Sequence, residues 1–190
     1  MLARRARRKF MKVTPLRIPE VLLLEPQVFQ DERGFLYESY NARRFAAAVG
    51  RPIEFVQENH SRSRRNVLRG LHYQIQCAQA KLVRVVQGEV FDVAVDLRRN
   101  SPTFGAWVGE RLAAENKREL WLPAGFAHGF LVLSEYAEVI YKTTEYWAPE
   151  HERCIAWDDP QLKIAWPLSG APILSERDRT ATAFRNAEVF

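Results

Sequence analysis

From Ile53 onward the chain is written in short apolar runs separated by polar turns, and that rhythm restricts what it can fold into. The runs include "KLVRVVQGEVFDVAVDL", "AWVGERL", "ELWLPAGFAHGFLVL", "AEVIYKTTEYW" and "CIAW". Successive side chains of a strand point to opposite faces, so alternation is the mark of a strand. After Gly88, Phe91, Val93, Val95 and Leu97 share one face; Val90, Asp92, Ala94 and Asp96 share the other. Short strands punctuated in this way predict an all-β sandwich, barrel or jelly roll. A hairpin is predicted near Gln87–Gly88.

Ahead of this series, "PEVLLLEPQVF" is strand-like but interrupted by Pro19 and Pro26, and "QDERGFLY" predicts a turn at Asp31–Gly34 leading into a strand. One stretch reads as a helix, "NARRFAAAV", with Asn41 as its N-cap and Gly50–Arg51–Pro52 as its stop. Residues 158–190 are more polar and predict a tail wrapped on the body.

The net charge of +5 is concentrated at one end. Arg4, Arg5, Arg7, Arg8 and Lys9 stand in the first ten residues without an acid. Removing these five from the 28 Lys and Arg leaves 23, equal to the 23 Asp and Glu. Residues 1–11 are therefore expected to be a basic, disordered arm, and 12–190 a single neutral domain. A neutral body argues against nucleic-acid binding. The arm lacks the apolar run of a signal peptide, and runs such as "VLLL" and "GFLVL" are far too short to span a membrane. Cys77 and Cys154 are the only cysteines and lack CxxC spacing, which fits ordinary thiols in a reducing, cytoplasmic compartment.

Charges inside strand-like runs are costly unless they are paired or face something that needs them. In "VLRGLHYQIQCAQAKLVRVVQGEVFDVAVDL" they are Arg69, His72, Lys81, Arg84 and Asp92. The spacing resembles that of cupin jelly rolls, which carry Gly, then His-x-His, then Glu six residues before a Gly, and later Pro-x-Gly-x-x-His. Here Gly70 and His72 fit the first part, and Pro123, Gly125 and His128 fit the last. Gln74 stands in place of the second His, and Lys81 in place of the Glu. An ammonium repels a divalent cation instead of ligating it, so no metal is expected. A cation beside a His in a dry barrel suits another chemistry: the cation steadies an enolate while the His takes a proton alpha to a carbonyl.

Longer segments carry a more specific likeness. "DERGFLYESYN", "FVQENHSRS", "VLRGLHYQ", the stretch from "KLVRVVQGEV" to "PAGFAHGFLVLSE", "YKTTEYWAPEHERCIAWDDP" and "ILSERD" resemble the dTDP-4-dehydrorhamnose 3,5-epimerase family, from about Ile18 to about Asp178. The resemblance implies a cupin-like jelly-roll homodimer with one or two short helices and without metal or organic cofactor. The implied substrate is a dTDP-4-keto-6-deoxyhexose, dTDP-4-dehydro-6-deoxy-D-glucose, inverted at C3 and C5 for dTDP-L-rhamnose synthesis. His72 matches the base, Asp178 its carboxylate partner, Tyr141 the acid and Lys81 the residue beside the ketone oxygen. His128 matches a second pocket His. Arg33 and Arg69 match nucleotide or phosphate contacts, Glu38 a thymine contact, and Gln57 and Asn59 polar groups lining the pocket. Ala80 before Lys81 and Arg177 before Asp178 depart from the usual Gly and Lys.

Three other readings are open on sequence grounds: a single-centre epimerase of another deoxysugar pathway, a metal cupin such as a dioxygenase, and a non-catalytic nucleotide-sugar-binding jelly roll.

Overall fold

The structure, a computed structural model, describes residues 11–190. In chain order its elements are β1 (Met11–Pro15), β2 (Leu22–Pro26), β3 (Val28–Asp31), β4 (Gly34–Tyr37), α1 (Ala42–Val49), β5 (Gln57–Arg64), β6 (Leu68–Gln74) and β7 (Lys81–Gln87). They continue with β8 (Glu89–Asp96), β9 (Trp107–Ala113), β10 (Glu119–Leu122), β11 (Phe126–Val132), β12 (Tyr136–Thr143), β13 (Glu152–Cys154) and α2 (Glu176–Arg179). All strand pairings within the sheets are antiparallel. One sheet runs β1-β2-β10-β7-β12-β5, the facing sheet β13-β6-β11-β8-β9, and β3-β4 form a separate hairpin. This is the expected jelly roll of the cupin type. The basic residues 4–9 lie outside the described residues. Met11, assigned above to the arm, lies in β1 opposite Pro26.

Alternation explains the layering. Val90 and Ala94 of β8 point between the sheets, where they meet Val83 and Val85 of β7, Phe126 and Phe130 of β11, and Val139 of β12. Val93, Val95 and Leu97 point the other way, onto a second core closed by Trp166, Phe184, Val189 and Phe190. The polar C-terminal segment thus wraps the body as expected, and it covers the outer face of the five-stranded sheet. The outer face of the six-stranded sheet has its own cover. Phe45 of α1 sets its ring edge-on to Trp121, 5.1 Å between centroids, over Leu22, Leu24 and Leu82. Each large side chain so buried contributes on the order of 1.5–3 kcal/mol. The caps of α1 are those the sequence predicts: Asn41 accepts from Arg44 N, and Gly50 takes a left-handed φ of 84°.

The hairpin expected at Gln87–Gly88 does not form. β7 and β8 lie in different sheets, and Gly88 is the corner where the chain crosses between them. Its φ is 72°, and a Cβ there would sit 2.1 Å from the Tyr136 carbonyl oxygen. Two consecutive alternating strands satisfy their inner faces equally well as a hairpin or as opposite walls of a barrel, and the period does not distinguish the two.

Candidate active site

The inner faces of the strands are apolar toward one end of the barrel and polar toward the other. β8 carries Asp92 between Val90 and Ala94. β11 carries His128 between Phe126 and Phe130. β7 begins its inward series with buried Lys81, before Val83 and Val85. On β12, Tyr141 follows Val139. The register sets His72 opposite His128, Tyr141 opposite Val83 and Asn59, and Thr143 opposite Lys81. His72, Lys81, Asp92 and His128 therefore face one another across the polar end of the barrel, whereas Arg84 alternates to the outer face of the six-stranded sheet, beside Leu82, with its Nη1 3.5 Å from Tyr37 Oη.

His72 donates from Nε2 to Asp178 Oδ1 at 2.6 Å, and the carboxylate is 3% exposed. With the Nε2 proton so committed, Nδ1 carries the lone pair and is the basic nitrogen. Asp178 is fixed from both sides. Ser175 Oγ donates to its Oδ2 at 2.6 Å, and Gly70 N donates to Oδ1 at 3.3 Å. Burial alone would raise this carboxyl, but the hydrogen bonds from His72 and Ser175 outweigh it and hold the group at about 2. Ser175 also caps α2, accepting from Asp178 N at 3.1 Å, so one hydroxyl starts the short helix and aims its acid. Gly70 lets β6 and β11 approach closely: a Cβ there would stand 2.5 Å from Gly129 Cα.

Lys81, 7% exposed, stands with its Nζ 5.9 Å from the centroid of the Tyr141 ring. Burial lowers its pKa to about 8, opposed by the carboxylates of Glu152 and Asp92. Burial raises the Tyr141 phenol above its ordinary value. The His128 ring lies 6.5 Å from the Tyr141 ring and its Nε2 is 3.0 Å from both oxygens of Asp92. Arg69 donates from Nε to Ser63 Oγ at 3.0 Å. Gln57 Nε2 donates to Asn59 Oδ1 at 3.0 Å and its carbonyl accepts from Trp147 N at 2.9 Å.

Gln74, at a metal-ligand position of a cupin, has a different occupation. Its amide donates to the carbonyls of Cys77 and Tyr146, and its oxygen accepts from Ala148 N at 2.9 Å. It ties the 145–148 loop to β6. With Gln74 so engaged and Lys81 cationic, the donor set does not suit a divalent ion.

Of the ten expected site residues, the structure brings His72, Asp178, Lys81, Tyr141 and His128 to one end of the barrel, with Arg69 on β6 and Gln57 and Asn59 on β5, the strand beside Tyr141. Arg33 and Glu38 do not join them in this chain. Arg33, on the β3–β4 turn, pairs with Asp31 at 2.6 Å, and its side chain is 85% exposed. Glu38 accepts from Asn41 Nδ2 at 3.1 Å and pairs with Arg44 at the start of α1.

The sequence assigned no role to Asp92, Ser175, Glu152 or Cys154. Asp92 carried a readable signal, a carboxylate on the apolar face of its strand. Ser175 stands three residues before Asp178, the spacing of a capping side chain. Glu152, which pairs with Arg177 and accepts from Trp147 Nε1, had no such signal.

Comparisons with known proteins bear on this geometry. The family model described as dTDP-4-dehydrorhamnose 3,5-epimerase matches residues 15–186. The dTDP-4-dehydrorhamnose 3,5-epimerase of Pseudomonas aeruginosa is 70% identical over 180 residues, 95% of this chain and 99% of that protein. The crystal structure of dTDP-6-deoxy-D-glucose-3,5-epimerase from Legionella pneumophila, in complex with dTDP-4-keto-L-rhamnose, superposes with a TM-score of 0.92. It is 52% identical, with 94% of this chain and 95% of that chain covered. A dTDP-4-dehydrorhamnose 3-epimerase of Streptomyces niveus is more distant, at 41% identity over 93% of this chain and 86% of that protein. With a family match that spans nearly all the described residues and a fold shared from end to end, the chain belongs to the dTDP-4-dehydrorhamnose 3,5-epimerase family.

Proposed function

We infer that this chain is an epimerase that inverts C3 and C5 of dTDP-4-dehydro-6-deoxy-D-glucose, giving dTDP-4-dehydro-L-rhamnose for dTDP-L-rhamnose synthesis. The observation that carries the mechanism is the His72–Asp178 pair, at the same end of the barrel as a buried cation, Lys81, and a half-buried phenol, Tyr141. The C4 ketone acidifies the hydrogens on C3 and C5. His72 Nδ1 removes one, and Asp178 steadies the imidazolium that results. The electron pair moves to O4, where Lys81 meets the developing negative charge in a water-poor site. Tyr141 returns a proton from the opposite face, and the carbon is inverted. Once His72 has given its proton to solvent and Tyr141 has regained one from it, repetition at the second carbon completes the reaction. His128, oriented by Asp92, holds a sugar hydroxyl or the keto oxygen, and Arg69, Gln57 and Asn59 line the path toward the nucleotide.

Arg33 and Glu38 enter this reading through a homodimer. They lie away from His72, on or beside a hairpin that exposes Phe29, Phe35 and Leu36. Such an apolar hairpin is suited to cover by a second copy, which would carry the hairpin's Arg33 and Glu38 to the neighbouring pocket. Neither metal nor organic cofactor has a step in this mechanism. Among the described residues no helix is long and apolar enough to cross a membrane, and the free thiols Cys77 and Cys154 fit the cytoplasm.

Incubation with the 4-keto substrate in D₂O, followed by NMR, tests the reading: deuterium should appear at both C3 and C5 of inverted product. Inversion at one centre alone would make the chain a single-centre epimerase, and absence of exchange would leave a nucleotide-sugar-binding protein.

A further inference from the structure

Cys154 has no part in the epimerisation, yet it stands directly behind the His72–Asp178 pair. β13 pairs with β6 so that Cys154 is the register partner of His72. Its Sγ is 3.7 Å from Asp178 Oδ1, the same oxygen that accepts from His72 Nε2 at 2.6 Å. The donor atoms of the three residues lie within 4.8 Å of one another. Imidazole, thiolate and carboxylate together form a donor set suited to Zn²⁺ and, through sulfur, to Cd²⁺.

Closing on an ion takes adjustments of up to about 1 Å, including at the His72 and Cys154 donor atoms, which lie within 4.8 Å of each other. Bonds of about 2.0–2.3 Å in a tetrahedral arrangement place ligands roughly 3.3–3.7 Å apart. The sulfur–carboxylate separation already lies at that limit, and the His72–Asp178 contact has to open by less than about 1 Å. Ser175 on Oδ2 and Gly70 N on Oδ1 keep the carboxylate oriented while it does so. The charges facing the site are Glu152, paired with Arg177, and Asp178 itself. With a thiolate added, the local balance is anionic and accepts a dication. The His72 side chain is 28% exposed, which leaves an ion a route in.

We propose that His72, Cys154 and Asp178 form a binding site for a thiophilic divalent cation, one that inhibits the enzyme instead of activating it. The proton balance is explicit. The metal takes the Nε2 lone pair, so the imidazole proton moves from Nε2 to Nδ1. The thiol of Cys154 gives its proton to solvent and becomes the sulfur ligand. One proton is released per ion bound, and affinity rises with pH below the thiol pKa. Protonated at Nδ1, His72 can no longer accept a proton from substrate. That consequence for activity rests on the proposed role of His72 as base; the metal site itself does not.

The test uses a Cys77→Ser chain, in which Cys154 is the only thiol. Cd²⁺ is titrated while the ultraviolet thiolate-to-metal charge-transfer band is recorded, and calorimetry with Cd²⁺ and Zn²⁺ in buffers of different ionisation enthalpy counts released protons. Expected are one ion per chain, one proton released, and a band that is absent when Cys154 is also changed to Ala. Cys154→Ser and His72→Asn should each weaken binding by at least the roughly 10–100-fold that follows loss of an outer-shell partner. Absence of the band, its persistence in the Cys154→Ala chain, or undiminished affinity in His72→Asn would overturn the proposal. The two readings separate cleanly. If Cd²⁺ binds as described yet the saturated protein epimerises normally, the site stands and His72 is not the base. If His72→Asn abolishes exchange while no Cd²⁺ binds, the base stands and the metal site falls.

Discussion

Asp178 and His72 stand 106 residues apart in sequence and 2.6 Å apart in space. Midway along the tail that covers the outer face of the five-stranded sheet, before Phe184 and Phe190 close that cover, the chain sets this carboxylate against His72. His72 therefore has its partner only while that segment is docked on the body.

Asp178→Asn is expected to lower kcat by on the order of 10²–10⁴, with KM changed little, because the amide neither fixes the tautomer nor balances the imidazolium. The same substitution has a pH signature in stability. The carboxyl is lower in the folded chain than its ordinary value of 3.8, at about 2. Its stabilising contribution is therefore present above about pH 4 and fades as pH falls through about 2. Urea unfolding at several pH values should show the gap between wild type and Asp178→Asn narrowing as pH falls across that window. A gap independent of pH would mean that the charge of Asp178 contributes nothing to it.

Lys81 predicts an alkaline limit. Buried and lowered to about 8, its ammonium loses its proton as pH rises through that value, and the cation facing O4 goes with it. The kcat profile should fall above about pH 8. Tyr141, raised by burial, stays protonated there and does not account for the fall. In Lys81→Arg the guanidinium does not titrate in this range, so whatever activity survives should lack this limb. An unchanged limb in that variant would assign it to another group.

Chelation should leave the rate intact. Gln74 and Lys81 replace two cupin ligands, and Gln74 is occupied with the 145–148 loop. Full kcat after exhaustive EDTA treatment is the expected result; loss restored by a divalent ion would overturn the metal-free mechanism.

Much of this architecture is legible in the sequence, for definite reasons. The alternation in β8 separates Val90 and Ala94 from Val93 and Val95, and the two sets bury in two different cores. Asn41 and Gly50 bound α1 as their chemistry dictates. What the alternation could not carry is pairing: β7 and β8 have the pattern of a hairpin and form opposite walls. In the site, His72, Lys81 and His128 are visible from spacing. Asp178 is not, since an acid in a polar tail looks solvated until the tail is folded back. Arg33 and Glu38 illustrate the opposite limit. Their family match is clear, but within one chain each serves a local contact, with Asp31 and with Arg44.

Tyr141→Phe should separate proton removal from inversion. The ring and its packing remain, and only the hydroxyl is lost. His72 still abstracts, Lys81 still holds the enolate, and His72, after exchanging its proton with solvent, reprotonates the face that the proton left. Solvent deuterium should enter substrate while epimerised product falls far more than exchange does. Parallel loss of both, with affinity held, would show that Tyr141 is not simply the acid.

The one-base mechanism is tested most directly by deuterium exchange in His72→Asn, with the 4-keto substrate in D₂O followed by NMR. Loss of a positioned general base costs on the order of 10²–10⁴ in rate, and a single base serves both carbons here. Exchange at C3 and at C5 should therefore fall together, by that factor, in a protein that still binds the nucleotide sugar. Undiminished deuterium uptake at either carbon would contradict the mechanism.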